Sequence, residues 1–147
     1  KSKMSEETKA LSLPDSVDLN DAITDFNNKP IVRAEAEENE HGEQVVTQKD
    51  MLLGDMIVMA LLSHDESMTD NQRLAHFALA NKCNRENETE DYPIMHLSSR
   101  QKQAILKRGA SLMQRPLDGG GWGTVIYARI YEALEGEIPE TFAESEL

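Results

Sequence analysis

A single cysteine, Cys83, in 147 residues excludes an internal disulfide and points to a reducing compartment. Long apolar runs are missing too: no segment reaches the roughly 18 residues that a membrane-spanning helix needs. The opening KSKMSEETK has no apolar centre, so no signal peptide is expected in it. Basic residues are few, with 15 Lys and Arg against 27 Asp and Glu and a formal net charge of −12. A field of that sign repels nucleic acid and anionic membranes and draws in basic protein surfaces. Paired metal ligands are absent as well. His41, His64, His76 and His96 lie on different elements without the spacing of a zinc site, and Cys83 has no cysteine partner. The hydrophobic fraction of 39% is modest, yet a chain this long can still bury a real core.

What is present reads mainly as helix. Residues 1–17 are polar and read as a flexible N-terminal segment. DLNDAITDF, Asp18–Phe26, suggests a short helix that Pro30 stops through its effect on Lys29. Two strands follow, Ile31–Ala36 and Gln44–Thr47, joined by an acidic turn with Gly42. They form a short hairpin whose apolar face, Val32, Ala34 and Ala36, needs a helix to cover it. Thr47 and Asp50 form a weak capping box ahead of Met51–Leu62. The Met, Leu, Ile and Val side chains of that run point all round a helix axis, interrupted by Gly54 and Asp55. Such a helix must be enclosed by its own fold or by a sister subunit. Thr69 and Gln72 open a second helix to about Lys82, with Leu74, Phe77, Ala78 and Leu79 as its apolar stripe. Ser98 and Gln101 cap a third helix to about Gln114. Its apolar face is Ile105, Leu106, Leu112 and Met113, and Arg100, Lys107, Arg108 and Arg115 are expected on the opposite side. A last helix, Thr124–Glu135, ends at Gly136 before an acidic tail, 137–147. The expected architecture is therefore mainly α: four to five helices around the central apolar helix, as a single domain over 18–136, with a short N-terminal β-hairpin.

The stretch PLDGGGWGT, from Pro116 to Thr124, is the most unusual. Glycines can let backbone N–H groups converge on a phosphate at a helix start. Here no lysine stands between Gly123 and Thr124, a helix rather than a strand precedes the loop, and Asp118 adds a negative charge. The simpler reading is a sharp reversal between two helices, anchored by Trp122. No cofactor, metal or catalytic residue is expected. SHDES holds a serine, a histidine and acids in a row, but adjacent residues rarely converge as a triad must. Acidic clusters are plain: Glu35, Glu37, Glu38, Glu40 and Glu43 on the hairpin, and Glu86, Glu88, Glu90 and Asp91 in one loop. Such carboxylates either imitate nucleic-acid phosphates toward a protein partner or keep the surface solvated. Candidate interface residues are Met51, Leu52, Met56, Met59, Trp122, Tyr127 and Tyr131.

Taken together, DFNNKPIV, MLLGDMIVMALLS, LSSRQKQAILKR and GTVIYARIYEALEG resemble a group of small tailed-bacteriophage and prophage proteins over roughly residues 25–136. That resemblance implies a viral origin and a small helical domain, and brings no catalytic residue with it. The GGGWG loop and the acidic ends depart from the group. The reading that follows is a non-enzymatic phage-type accessory or assembly protein. It acts through a protein partner of phage or host origin, in the host cytoplasm or on the virion, with self-association as one way to cover apolar surface. The alternative is an acidic DNA mimic that inhibits a host nucleic-acid enzyme. Neither membrane association nor direct nucleic-acid binding is expected.

Overall fold

The computed structural model describes residues 16–85 and 91–147. In chain order the elements are β1 (Ser16–Asp18), β2 (Val32–Glu38), β3 (Gln44–Asp50), α1 (Leu53–Leu61), α2 (Asp70–Cys83), β4 (Ile94–His96), α3 (Ser99–Met113), α4 (Gly123–Glu135) and a short α5 (Glu140–Ser145). Helix accounts for 46% and strand for 19%, in two separate two-stranded antiparallel sheets, β1–β4 and β2–β3. The fold is therefore α+β, which corrects the mainly α expectation.

At the centre lies α1. Leu53, Met56, Ile57, Ala60 and Leu61 are buried, while Val58 and Met59 are half-buried. It packs on α2 and α3, and α3 in turn packs on α4. The chain's own fold thus encloses the apolar run, leaving Leu62, just beyond the helix, exposed. Leu19, Ile57, Leu97, Ile105 and Ile130 are among the fully buried side chains, each worth about 1.5–3 kcal/mol of transfer free energy.

The capping signatures of α2 and α3 form as their spacing predicts. Thr69 Oγ1 accepts from the Gln72 N–H at 3.1 Å and Gln72 Oε1 accepts from the Thr69 N–H at 2.8 Å. Ser98 and Gln101 repeat both bonds. α1 begins differently. Thr47 does not cap it but lies within β3. Instead Asp55 Oδ2 accepts from the Leu52 N–H, and the Leu53 and Gly54 N–H groups donate to the Asp21 and Leu19 carbonyls at 2.8 Å. Backbone distant in sequence does the work of a capping side chain.

That role explains why Asp18–Phe26 is not a helix. Its Asx residues spend their side chains on local turns, with Asp18 accepting from the Asn20 N–H and Asp25 from the Asn27 and Lys29 N–H groups. Asn20 also reaches across to bond both the N–H and the carbonyl of Tyr92. The extended chain then bonds Ile23 to Met51 and Ile31 to Ile23. β1 pairs with β4, so the IMHL segment ahead of α3 contributes a strand. Residues 1–15 of the expected flexible segment lie outside the described residues, but Ser16 and Val17 belong to β1 and Val17 is buried. The acidic tail carries α5.

Two helix faces are also corrected. On α2 the buried residues are Leu79, Ala80 and Cys83, with His76 half-buried; Leu74 and Phe77 are 67% and 58% exposed. On α3, Arg108 does not join a solvated basic face. It sits three residues after Ile105 and four before Leu112, on the buried side, at 3% exposure.

Candidate interaction surfaces

β2 and β3 run in register from Val32 opposite Asp50 to Glu38 opposite Gln44, a ribbon about 23 Å long. Apart from half-buried Glu35 and Thr47, every residue of both strands is exposed. No described helix covers the hairpin as expected, so among the described residues it stands off the helical body as an arm. Its faces differ because alternate side chains point opposite ways. One face carries ion pairs: Arg33 to Glu35 at 3.3 Å, and Lys49 to Glu35 at 3.1 Å and to Glu37 at 3.0 Å. Those two glutamates hold the Lys49 ammonium above its ordinary pKa. The other face presents Val32, Ala34, Ala36 and Val46, with Val32 48% and Val46 65% exposed. The tip is ordered by Asn39, whose side-chain oxygen accepts from the His41 and Glu43 N–H groups at 2.9 Å, and by Gly42 at φ 78°. It presents Glu38, Glu40 and Glu43 to solvent.

The root of the arm is tied to α1. Asp55 accepts the Tyr92 hydroxyl hydrogen bond, pairs with Arg85 at 3.3 Å and lies 3.8 Å from Arg33 at the start of β2. The Arg85 guanidinium also covers the Tyr92 ring at 4.5 Å from its centroid. Gly54 makes room for this ring: a Cβ there would lie 2.5 Å from Tyr92 Cδ1. Burial first, then the Asp55 carboxylate, pushes the Tyr92 phenol up to about 12, so it remains a donor throughout the physiological range. Removing that donor with Tyr92→Phe should cost about 1–3 kcal/mol in urea unfolding, since a hydrogen bond to a charged group is lost. An unchanged midpoint would show that the hydroxyl contributes nothing.

A groove of about 870 Å³ lies between α2 and α3. His76 and Lys82 line it from α2, Arg100 and Lys107 from α3, and Arg108 and Asp65 also border it. Arg108 donates to Asp65 Oδ2 at 2.6 Å and to Ser63 Oγ at 2.9 Å, bracing the exit of α1 against α3. The Ser67 hydroxyl and N–H, then Arg108, hold the Asp65 carboxyl down at about 2. Burial, then Arg108 and Lys107, lowers the pKa of His76. Arg108 Nε and His76 Nδ1 are buried with no hydrogen-bond partner among the described residues.

The glycine loop turns the chain and caps α3. The Gly121, Trp122 and Gly123 N–H groups donate to the carbonyls of Pro116, Leu112 and Arg115, each at 2.9 Å. These donors are thereby spent on the chain itself. A Cβ at Gly121 would meet the Arg115 carbonyl oxygen at 2.2 Å, so this close approach requires glycine.

Of the candidate interface residues, Met51, Met56 and Trp122 are core, whereas Leu52, Met59, Tyr127 and Tyr131 are half-buried against it. Of the candidate acidic surface, Glu35 and Glu37 are engaged by Lys49, Glu38 and Glu40 are exposed at the arm's tip, and Asp91 is exposed. Glu86, Glu88 and Glu90 lie outside the described residues. Cys83 is fully buried, and desolvation raises its thiol to about 11, far from a reactive thiolate. Sequence reasoning missed the groove, although the spacing of Arg108 from Ile105 and Leu112 was a signal for it. No protein-family model, no curated protein and no solved structure matches the chain.

Proposed function

We propose that this chain is a non-enzymatic accessory or assembly protein of bacteriophage type, acting through protein–protein contacts made by the β2–β3 arm. The observation that carries this reading is the arm itself. A lone two-stranded ribbon is marginal in water, and this one is braced by ion pairs on one face while its valine and alanine face meets solvent. Among the described residues both outer edges also keep unpaired backbone groups that a partner strand can use. Exposed Leu74 and Phe77 on α2 add a second apolar spot. Among the described residues no helix is long and apolar enough to cross a membrane. A place in the host cytoplasm or on the virion belongs to the same proposal.

The test is affinity capture from lysates of phage-infected and uninfected bacteria. The baits are the wild-type chain and a Val32→Ser/Val46→Ser variant, each washed at low and high salt. A partner held at both salts by the wild type and lost by the variant is the expected result, because an apolar contact is little screened. The DNA-mimic alternative predicts nucleic-acid-binding proteins that high salt releases and that ignore the valine changes. That outcome would overturn the arm reading.

A further inference from the structure

The described residues carry two exposed charge clusters of opposite sign that no described ion pair neutralises. At the arm's tip Glu38, Glu40 and Glu43 are exposed, beyond the reach of the Lys49 pairs further down the ribbon. In the groove Arg100 and Lys107 are exposed and form no ion pair with any described residue, and Lys82 lies alongside. A basic concavity is unexpected on a chain of net charge −12, where diffuse surface charge is mostly acidic. At the groove's edge Arg108 is 3% exposed and its Nε lacks an acceptor, as buried His76 Nδ1 lacks a partner. Buried polar groups in native proteins are normally satisfied, by protein atoms or by ordered water, and no described residue satisfies these two. At about 870 Å³ the groove is also as large as the upper end of ligand clefts, which run roughly 300–1,000 Å³, and it admits a turn of peptide.

We propose that the acidic tip of the β2–β3 arm of one molecule seats in the basic groove between α2 and α3 of a second copy of this chain, so that the protein self-assembles tip to groove. Within one molecule no described tip carboxylate pairs with a described groove cation. The arm's root, Arg33, contacts Asp55 near the start of α1, and Arg108 meets Ser63 and Asp65 just past its end, about 13 Å along the axis. Contacts between two different patches of the same chain generate closed pairs, rings or open chains according to the rotation between copies. Local complementarity opposes the general repulsion between two acidic molecules, and it fixes which surfaces meet. The inference rests on the arm being a contact element, as proposed above.

Charge exchange tests it with exposed residues that leave the core intact. The tip variant is Glu38→Lys/Glu40→Lys, and the groove variant is Arg100→Glu/Lys107→Glu. Sedimentation velocity up to about 200 μM in ~0.15 M salt should show association of the wild type, weakened at ~1 M salt. Each variant alone should associate on the order of tenfold or more weakly, because its own tip and groove now repel. Mixed, the two should associate again, and so should a chain carrying all four changes. The tip variant is decisive. It is less negative overall, so a general relief of repulsion would strengthen its association, whereas loss is expected here. A monomeric wild type, or association that ignores the exchanges, would sink the inference. If the wild type stays monomeric while the valine variant still loses captured partners, self-assembly falls and the arm reading stands. If neither readout responds, both fall.

Discussion

Truncating Trp122 to alanine is expected to lower the unfolding free energy by about 3–5 kcal/mol, the largest single effect in the molecule. Trp122 is 1% exposed and its ring lies against the backbone of α3 at Gly109, where an added Cβ would come within 2.2 Å of Cζ3. The contact predicts a change of sign. In the wild type, Gly109→Ala overpacks this joint and should cost about 1–3 kcal/mol. In the Trp122→Ala background the same substitution should stabilise, because alanine is about 1 kcal/mol better than glycine inside a helix and the obstacle has gone. Urea unfolding followed by far-ultraviolet circular dichroism measures both arms of the cycle. A cost that is equal in both backgrounds would show that the two residues do not meet. Trp122 is the chain's one tryptophan, so its fluorescence also reports on the α3–α4 joint in every other variant.

The second large effect is asymmetric. Asp65→Ala leaves Arg108 buried with its charge matched by no carboxylate, whereas Arg108→Met removes the charge and keeps much of the volume. Deleting the partner of a buried charge is destabilising, less so here than in a fully buried pair because Asp65 is 28% exposed. Replacing the buried charged member with an apolar side chain is often neutral. Asp65→Ala should therefore lower the melting temperature by several degrees and Arg108→Met by much less. Equal losses would count against the burial argument. Acid adds a second readout. The Asp65 carboxyl is lowered from 3.8 to about 2 in the folded state, so its contribution is present above the ordinary carboxylate range. That contribution is lost as pH falls through about 2. Between those values the wild type should lose stability more steeply than Asp65→Ala; parallel curves would contradict this assignment.

Both effects involve residues whose roles are only partly written in the chain. Trp122 among glycines is visible as an anchor, and its burial follows from a bulky side chain beside a tight turn. That Gly109 is its seat is not visible, because the two meet only once α3 and the turn are folded together. Arg108 is a closer case. Its spacing from Ile105 and Leu112 puts it on the apolar face, yet its type argues for solvent, and residue type alone misplaces it. What overrides type is the carboxylate at Asp65, 43 residues away. On α2 the ambiguity is different. Leu74 and Phe77 compete with Leu79, Ala80 and Cys83 for the buried side, and only the position of α1 decides between them. The acidic hairpin is legible as a ribbon, because alternation and a turn containing Gly42 are local properties. Its isolation is not, since nothing local announces whether a helix will lie across it.

The chain alone determined the helices that begin at Thr69 and Ser98, the enclosed run after Met51 and the turn at Gly121. Each depends on neighbours within a few residues, through reciprocal caps, apolar periodicity or a missing Cβ. Tertiary structure decided what distance in sequence hides. It turned Asp18–Phe26 into extended backbone that caps α1 and made a second sheet from β1 and β4. It also buried Arg108 and left the arm uncovered. Those outcomes depend on hydrogen bonds and ion pairs between segments 30 to 80 residues apart, whose partners exist only after the helices have packed.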